Sequence, residues 1–176
     1  MSSGLEKTDK RILRTLKLLN MAMYSLLKKD NLNNITVRKI LDESLVGRAT
    51  FYSNFKDKYD FLKFWLSDFC PHDVIKNNTY EDVEKIVNQF VRENETIIKN
   101  ILIGADNRTL RALSEFLLTT LKDTDKQNSK CHALSNFYSG GILQYFIWQA
   151  ENNFPQDVKI MNEHLYNFII MFQRLE

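Results

Sequence analysis

Proline and glycine are scarce in this sequence, with two prolines and five glycines among 176 residues. Both residue types interrupt helices and form tight turns, so their scarcity leaves room for long helices. The alternation of apolar and polar residues that indicates strands is nearly absent as well. We therefore predict an all-α protein of about nine helices.

Other absences argue against whole classes of protein. No apolar run reaches the roughly 18 residues of a membrane-spanning helix. Residues Met1–Arg14 are polar and charged where a secretory signal would be apolar. The two cysteines, Cys70 and Cys131, lack the spacing of a disulfide framework. We therefore expect a cytoplasmic protein without a membrane partner.

The sequence also lacks the motifs of common enzymes. It contains no nucleophile elbow, no phosphate-cradling glycine loop and no helical His-Glu-x-x-His pattern. Two acidic pairs, Asp42-Glu43 and Glu81-Asp82, have the pattern of solvated helix faces. We expect a protein that is not an enzyme and that needs no cofactor.

Helix boundaries follow from the spacing of apolar residues and from the polar breaks between helices. The first helix has an apolar stripe and, on its other side, the cations Lys10, Arg14, Lys17 and Lys28. The predicted helices run approximately over Thr8–Lys29, a Thr36-capped segment to Ser44, Arg48–Asn54, Asp57–Phe69, Tyr80–Glu93, Glu95–Ile103, Arg108–Lys122, Cys131–Asn152 and Gln156–Leu175.

Charge is divided unevenly along the chain. Residues 1–70 contain 13 lysines and arginines against 8 acidic residues, a net charge of +5. Residues 71–176 contain 11 against 14, a net charge of −3. A protein that binds nucleic acid at one end has this division, because phosphates attract cations only there. A charge bias without any partner fits the numbers equally well.

The segment Thr36–Lys58 has the proportions of a helix-turn-helix: two short helices, joined by about three residues, with another helix following at once. Phe51 supplies the buried side of the second short helix, while Arg48, Ala49 and Thr50 lie in its first turn. That turn meets base edges when such a helix enters the major groove. Arg48 can donate two hydrogen bonds to a guanine, and the other two residues can contact a thymine methyl group.

The same segment resembles the DNA-binding head of the TetR family of regulators. In that family a threonine-capped helix and a turn precede the pattern Thr-(Leu/Phe)-Tyr-x-x-Phe-x-x-Lys, which Thr50-Phe51-Tyr52, Phe55 and Lys58 match. The resemblance implies that Thr36 and Tyr52 contact DNA phosphates and that Lys58 contacts another phosphate. The predicted DNA-binding residues are Thr36, Arg48, Ala49, Thr50, Tyr52, Lys56 and Lys58.

Two residues of the turn depart from the family pattern. Leu45 stands where the family usually has glycine, and Gly47 stands where the second helix usually starts with serine or threonine. A leucine in the left-handed conformation costs on the order of 1 to 2 kcal/mol, so we expect this turn to be built differently. Gly47 is an acceptable helix cap but offers no side chain to a phosphate.

The last two predicted helices are apolar nearly all round. A soluble helix of this kind must be covered on two sides, by its own domain together with a second copy, or by a large single-chain core. The stretch Phe137–Pro155 resembles the end domain of TetR-like regulators of the dihydroxyacetone-kinase-regulator type, which implies a four-helix interface in a homodimer. The predicted interface residues are Phe137, Gly141, Tyr145, Trp148, Leu165, Phe168, Ile169 and Phe172.

We predict two domains: a DNA-binding head, residues 1–56, and a helical body for regulation and dimerisation, residues 57–176. Aromatic residues of the body can line a cavity for a small-molecule effector, as in many TetR-like proteins, or can simply form the core. These residues are Phe64, Trp65, Phe69, Phe90, Phe116 and Tyr145.

A metal site is the weaker interpretation of the cysteines and histidines. Cys70, His72, Cys131 and His132 would offer zinc two sulfur and two nitrogen ligands if their helix ends met. No pair among them has the usual ligand spacing, and such residues commonly cap or pack at helix ends. We expect no bound metal.

These features predict a DNA-binding transcription regulator of TetR type, a ligand-responsive homodimeric repressor that binds a palindromic operator. The alternative is a TetR-like adaptor or coactivator that acts through a protein partner without tight DNA binding of its own. DNA affinity discriminates between the two, because a regulator binds a palindrome strongly and with a steep dependence on salt.

Overall fold

The structure, a computed structural model, describes residues 3–70, 79–121 and 129–155 together with residues 163, 166 and 167. Within these ranges the chain is helical and forms no strand, which confirms the all-α prediction there. A 3-10 turn at Leu32–Asn34 follows the first helix. The α-helices are α1 (Ser3–Leu27), α2 (Val37–Ser44), α3 (Arg48–Asn54), α4 (Lys58–Phe69), α5 (Tyr80–Leu102), α6 (Asn107–Leu121) and α7 (Ser129–Glu151).

The described helices number seven where nine were predicted. The predicted helices Tyr80–Glu93 and Glu95–Ile103 meet at a kink within α5, where Asn94 has a non-helical backbone with φ −120° and ψ 16°. Asn94 Nδ2 donates a 2.9 Å hydrogen bond to the carbonyl of Phe90. This carbonyl therefore keeps a partner at the kink. The predicted break at Asn94 is confirmed as a kink, and no loop separates the two helical segments there. The ninth predicted helix, Gln156–Leu175, lies almost wholly outside the described residues.

The head is built around the inner face of α1. Leu19, Met23 and Leu27 of α1 are fully buried and belong to the same apolar cluster as Ile40 of α2 and Phe51 of α3. Burial of each such side chain contributes roughly 1.5 to 3 kcal/mol relative to an exposed one. The core of the head thus fixes where the two short helices lie.

Helix α4 packs on α6 and is joined to α1 by hydrogen bonds. At its start, the ammonium group of Lys58 donates a 2.9 Å hydrogen bond to the carbonyl of Leu32, which follows α1. Towards its end, Asp68 accepts a 2.7 Å hydrogen bond from Asn20 Nδ2 in the middle of α1. Helix α4 therefore lies between the head and the rest of the body. The domain boundary at residue 56 stays a prediction.

In the described part of the body, α7 packs against α5 and α6, and α6 packs against α4. Its core contains Ile97 and Ile101 of α5, Leu113 of α6 and Leu143 of α7. None of the described helices is both long enough and apolar enough to cross a membrane.

The turn between α2 and α3 has the backbone that glycine usually provides. Leu45 has φ 56° and ψ 23°, which is the left-handed conformation, so the expectation of a different turn was wrong. Ser44 Oγ accepts a 3.3 Å hydrogen bond from the backbone N–H of Val46 across the turn. The buried helices on both sides determine the path of the turn, and packing therefore outweighs the local cost of a left-handed leucine.

Replacing Leu45 by glycine should raise the free energy of unfolding by about 0.5 to 1 kcal/mol. Relief of about 1 to 2 kcal/mol of left-handed strain exceeds the entropy that glycine adds to the unfolded chain. Since the leucine side chain is 90% exposed, its removal costs little burial. Urea unfolding of L45G and L45A measures the effect, because alanine keeps the strain. Equal stabilities of the two variants would contradict this explanation.

Candidate nucleic-acid interface

Helix α3 presents one side to the core and another to solvent. Phe51 is fully buried, and its ring meets those of Tyr52 and Phe61 edge-on, with centroids 5.4 and 5.7 Å away. Arg48, Ala49 and Thr50 are all exposed. The structure therefore brings the three residues predicted to meet DNA bases to one exposed end of a helix that is anchored from behind.

Arg48 lies over an aromatic ring of its own helix. Its guanidinium carbon is 5.6 Å from the centroid of the Tyr52 ring, one helical turn further on. Such a cation–π contact contributes about 0.5 to 1 kcal/mol at an exposed site. Among the described residues no carboxylate forms an ion pair with Arg48. The contact reduces the conformations open to Arg48 and leaves its N–H donors for a ligand.

The start of α2 supplies further exposed polar groups. Thr36 Oγ1 accepts a 3.2 Å hydrogen bond from the backbone N–H of Lys39, which confirms the predicted cap. Accepting this bond leaves the Thr36 hydroxyl able to donate its proton to a phosphate. Sequence reasoning missed Arg38 in the same turn, whose side chain is 91% exposed and lies 3.7 Å from Asp42. The sequence signal for Arg38 was its position two residues after the helix cap Thr36.

The two lysines that follow α3 have different surroundings. Lys56 is exposed. Lys58 is half-buried, burial lowers its pKa, and its ammonium group donates to the carbonyl of Leu32. One of its three N–H donors is therefore committed to the 3-10 turn, and a phosphate would use the remaining two. The phosphate contact that the resemblance implies for Lys58 stays a prediction.

Polar contacts join the start of α4 to the start of α6. The Asp57 carboxylate caps α4 by accepting from the backbone N–H groups of Tyr59 and Asp60 at 2.8 and 2.9 Å. It also accepts a 2.7 Å hydrogen bond from Arg108. The hydroxyl of Tyr59 donates to Asp106 at 2.9 Å. We call these contacts the α4–α6 junction.

The 3-10 turn of the head is tied to the same region of the body. Asn31 Nδ2 donates to the carbonyl of Ile103 at 2.8 Å, and Asn33 Nδ2 donates to the carbonyl of Gly104 at 2.6 Å. Gly104 has φ 70°, a left-handed conformation that glycine adopts without strain in this connection between α5 and α6. Residues 103–108 therefore contact both α4 and the turn that precedes α2.

Replacing Asp57 by alanine should lower the free energy of unfolding by about 1 to 2 kcal/mol, because both cap bonds and the partner of Arg108 are lost. Urea unfolding measures the change. Asp42→Ala is the matched control. The Asp42 carboxylate is exposed, and the variant removes one contact, the 3.7 Å ion pair with Arg38. The control should cost at most about 0.5 kcal/mol. A D57A variant as stable as D42A would contradict the assignment of a junction.

The aromatic residues that were predicted to line an effector cavity do not all lie together in the structure. Trp65 stacks on Phe69 with centroids 4.3 Å apart, and Phe69 meets Phe90 at 4.9 Å. Phe64 packs instead against Phe55, at 5.3 Å, between α4 and the end of α3. The other two residues, Phe116 on α6 and Tyr145 on α7, are partly buried. An effector cavity stays a prediction.

Helix α7 exposes large apolar side chains. Phe137 is 74% exposed and Trp148 is 43% exposed, and the rings of Tyr145 and Trp148 stack at 6.1 Å. Gly141 is exposed too, and a Cβ atom there would meet no heavy atom within 4 Å. These are four of the predicted dimer residues, and the interface itself stays a prediction. The other four, Leu165, Phe168, Ile169 and Phe172, lie outside the described residues.

The four residues considered for zinc are described only in part. Cys70 lies at the end of α4, and burial raises the pKa of its thiol to about 12. His72 and the side chains of Cys131 and His132 lie outside the described residues.

Comparison with known proteins gives matches by structure. No family model matches the sequence, and no curated protein matches it. A TetR transcriptional regulator from Streptococcus agalactiae 2603V is similar over 94% of this chain and 99% of its own, with 21% identity and a TM-score of 0.59. The dihydroxyacetone kinase operon activator DhaS is similar over 89% of this chain and 94% of its own, with 16% identity and a TM-score of 0.50. The similarity extends beyond the helix-turn-helix segment, and the chain therefore has a TetR-like fold.

Proposed function

We propose that this chain is a transcription regulator of TetR type that binds DNA through α3. The observation that carries the proposal is the exposed end of α3, where Arg48, Ala49 and Thr50 lie opposite the buried Phe51. The helix contains no acidic residue that would repel phosphates. Of the two similar structures described above, one is described as a transcriptional regulator and the other as an operon activator, which supports a regulatory role here.

The proposed regulator acts as a homodimer. The exposed side chains of Phe137 and Trp148 support a second copy packed on α7, because burying large apolar side chains away from water lowers the free energy. A two-fold dimer would place its two α3 helices in successive major grooves, about 34 to 36 Å apart, on a near-palindromic operator.

Control by an effector would pass through α4. Residues 103–108 hold both the 3-10 turn and α4, so a ligand that moves this stretch would reorient the head. Such coupling typically amounts to about 1 to 3 kcal/mol. We propose repression as the outcome of DNA binding. One similar structure is described as an operon activator. Measured transcription of the bound gene therefore distinguishes repression from activation.

Selection of duplexes from a random-sequence pool by the purified full chain tests this function. We expect enrichment of a near-palindrome of roughly two helical turns, protected in footprinting and bound with a steep dependence on salt. R48A serves as the control, because it should lose the enriched sequence while it keeps the fold. No enrichment by the wild-type chain would remove the proposal and favour an adaptor that acts through a protein partner.

A further inference from the structure

From residue 10 onward α1 is cationic, after Glu6 and Asp9 in the first turns of the helix. Residues 10–29 contain six lysines and arginines and no aspartate or glutamate. Since Leu19 and Met23 mark the buried face of α1, the helical repeat places Lys10, Arg14 and Lys17 on the opposite face. All three are exposed.

The ion pairs among the side chains that the structure describes do not include these three cations. Some other cations of the described chain do have carboxylate partners, as Lys39 has Asp30 at 3.1 Å and Lys63 has Glu115 at 2.9 Å. Within the residues that the structure describes, Lys10, Arg14 and Lys17 form no ion pair. A row of unpaired cations on one face creates a positive potential that attracts a polyanion.

Helix α1 holds this row at a fixed spacing. Trp65 Nε1 donates to the carbonyl of Asn20 at 3.2 Å, and Asn100 Nδ2 donates to the carbonyl of Leu27 at 2.8 Å. With a rise of about 1.5 Å per residue, Lys10 and Lys17 lie about 10 Å apart along the axis. A DNA strand advances about 3.4 Å per nucleotide, so three cations match a run of adjacent phosphates.

We propose that the outer face of α1 is a second DNA-contact surface, on which Lys10, Arg14 and Lys17 bind backbone phosphates beside those that the helix-turn-helix contacts. The inference rests on the proposed function. Helix α1 belongs to the same head, since Ser25 donates to Glu43 of α2 at 2.6 Å. The contacts add affinity without sequence information, because phosphates are the same at every base pair.

DNA fits this face better than an anionic membrane does. A helix that lies in a membrane surface inserts its apolar face among the lipids. The apolar face of α1 is already used, because Leu19, Met23 and Leu27 are fully buried in the head. Ile12, Leu13, Leu18 and Met21 are the exposed large apolar residues near the cations.

The test measures binding of the full chain to a long mixed-sequence duplex over a range of salt concentrations, by fluorescence anisotropy. The triple variant K10Q/R14Q/K17Q should bind more weakly and should lower the slope of log affinity against log salt by about 2 to 3 units. The matched control is K85Q/R92Q/R111Q, which removes three exposed cations of α5 and α6 and changes net charge equally. The control should keep the wild-type slope, and circular dichroism should show equal melting temperatures for both.

Three results would overturn the inference. If K10Q/R14Q/K17Q keeps the wild-type slope while R48A still loses its selected sequence, the α1 surface is wrong and the proposed function stands. If the wild-type chain binds no duplex with a steep dependence on salt, the α1 surface and the proposed function are both wrong. If the triple variant loses binding to phosphatidylserine vesicles but not to the duplex, the face binds membranes instead.

Discussion

Replacing Trp65 by alanine should lower the free energy of unfolding by about 3 to 5 kcal/mol, a large part of the total of about 5 to 15 kcal/mol for a native protein. The side chain is 2% exposed, stacks on Phe69, and donates its N–H to the carbonyl of Asn20. Its removal would leave a cavity between α1 and α4, at the point where the head meets the body.

Urea unfolding of W65A and W65F measures this cost. Phenylalanine fills most of the space and loses the N–H donor, so W65F should stay folded and cost less than W65A. The experiment also shows whether Trp65 is a residue of the core or part of the wall of a cavity. If Trp65 lined an open effector cavity, W65A would cost less than about 1 kcal/mol, and the structural assignment to the core would be wrong.

Replacing Arg48 by alanine should reduce the preference for the selected operator over a scrambled duplex by about 1 to 3 kcal/mol, roughly 5- to 150-fold. Arg48 is exposed at the start of α3, lies over the ring of Tyr52, and has no ion pair among the described residues. A bidentate contact with guanine would be lost in the variant. The fold should be unaffected, because the side chain contributes nothing to the core.

Competition between the operator and the scrambled duplex measures this preference. Lys56→Ala is the matched control, since Lys56 is an exposed cation just after α3. Loss of a phosphate contact should weaken binding to both duplexes and leave their ratio unchanged. An R48A variant with the wild-type ratio would show that Arg48 does not read the sequence.

Local sequence signals were sufficient where they act within one or two turns of helix. The bounds of α3 agree with the prediction, because Gly47 can adopt an extended backbone before it and Phe55 leaves the helix after it. The cap at Thr36 was predictable for the same reason. These features depend on neighbouring residues only.

Features that depend on distant residues were not predictable from the sequence. Nothing local indicates that Lys58 donates to the carbonyl of Leu32, 26 positions earlier in the chain. The packing of α2 and α3 imposes the left-handed conformation on Leu45. The free energy gained by this packing exceeds the strain of one left-handed residue. Apolar spacing marks Trp65 as inward-facing, but the same spacing occurs in a core and in a cavity wall.

The central claim is that this chain regulates transcription by binding DNA at defined sites. Chromatin immunoprecipitation of the full chain from cells that produce it, with transcript levels measured in the same cells, tests the claim most directly. We predict a few sharp sites that contain a near-palindrome, loss of these sites in R48A, and changed transcription of the adjacent genes. Even coverage of the chromosome by the wild-type chain, with no transcript changed by its removal, would contradict the claim.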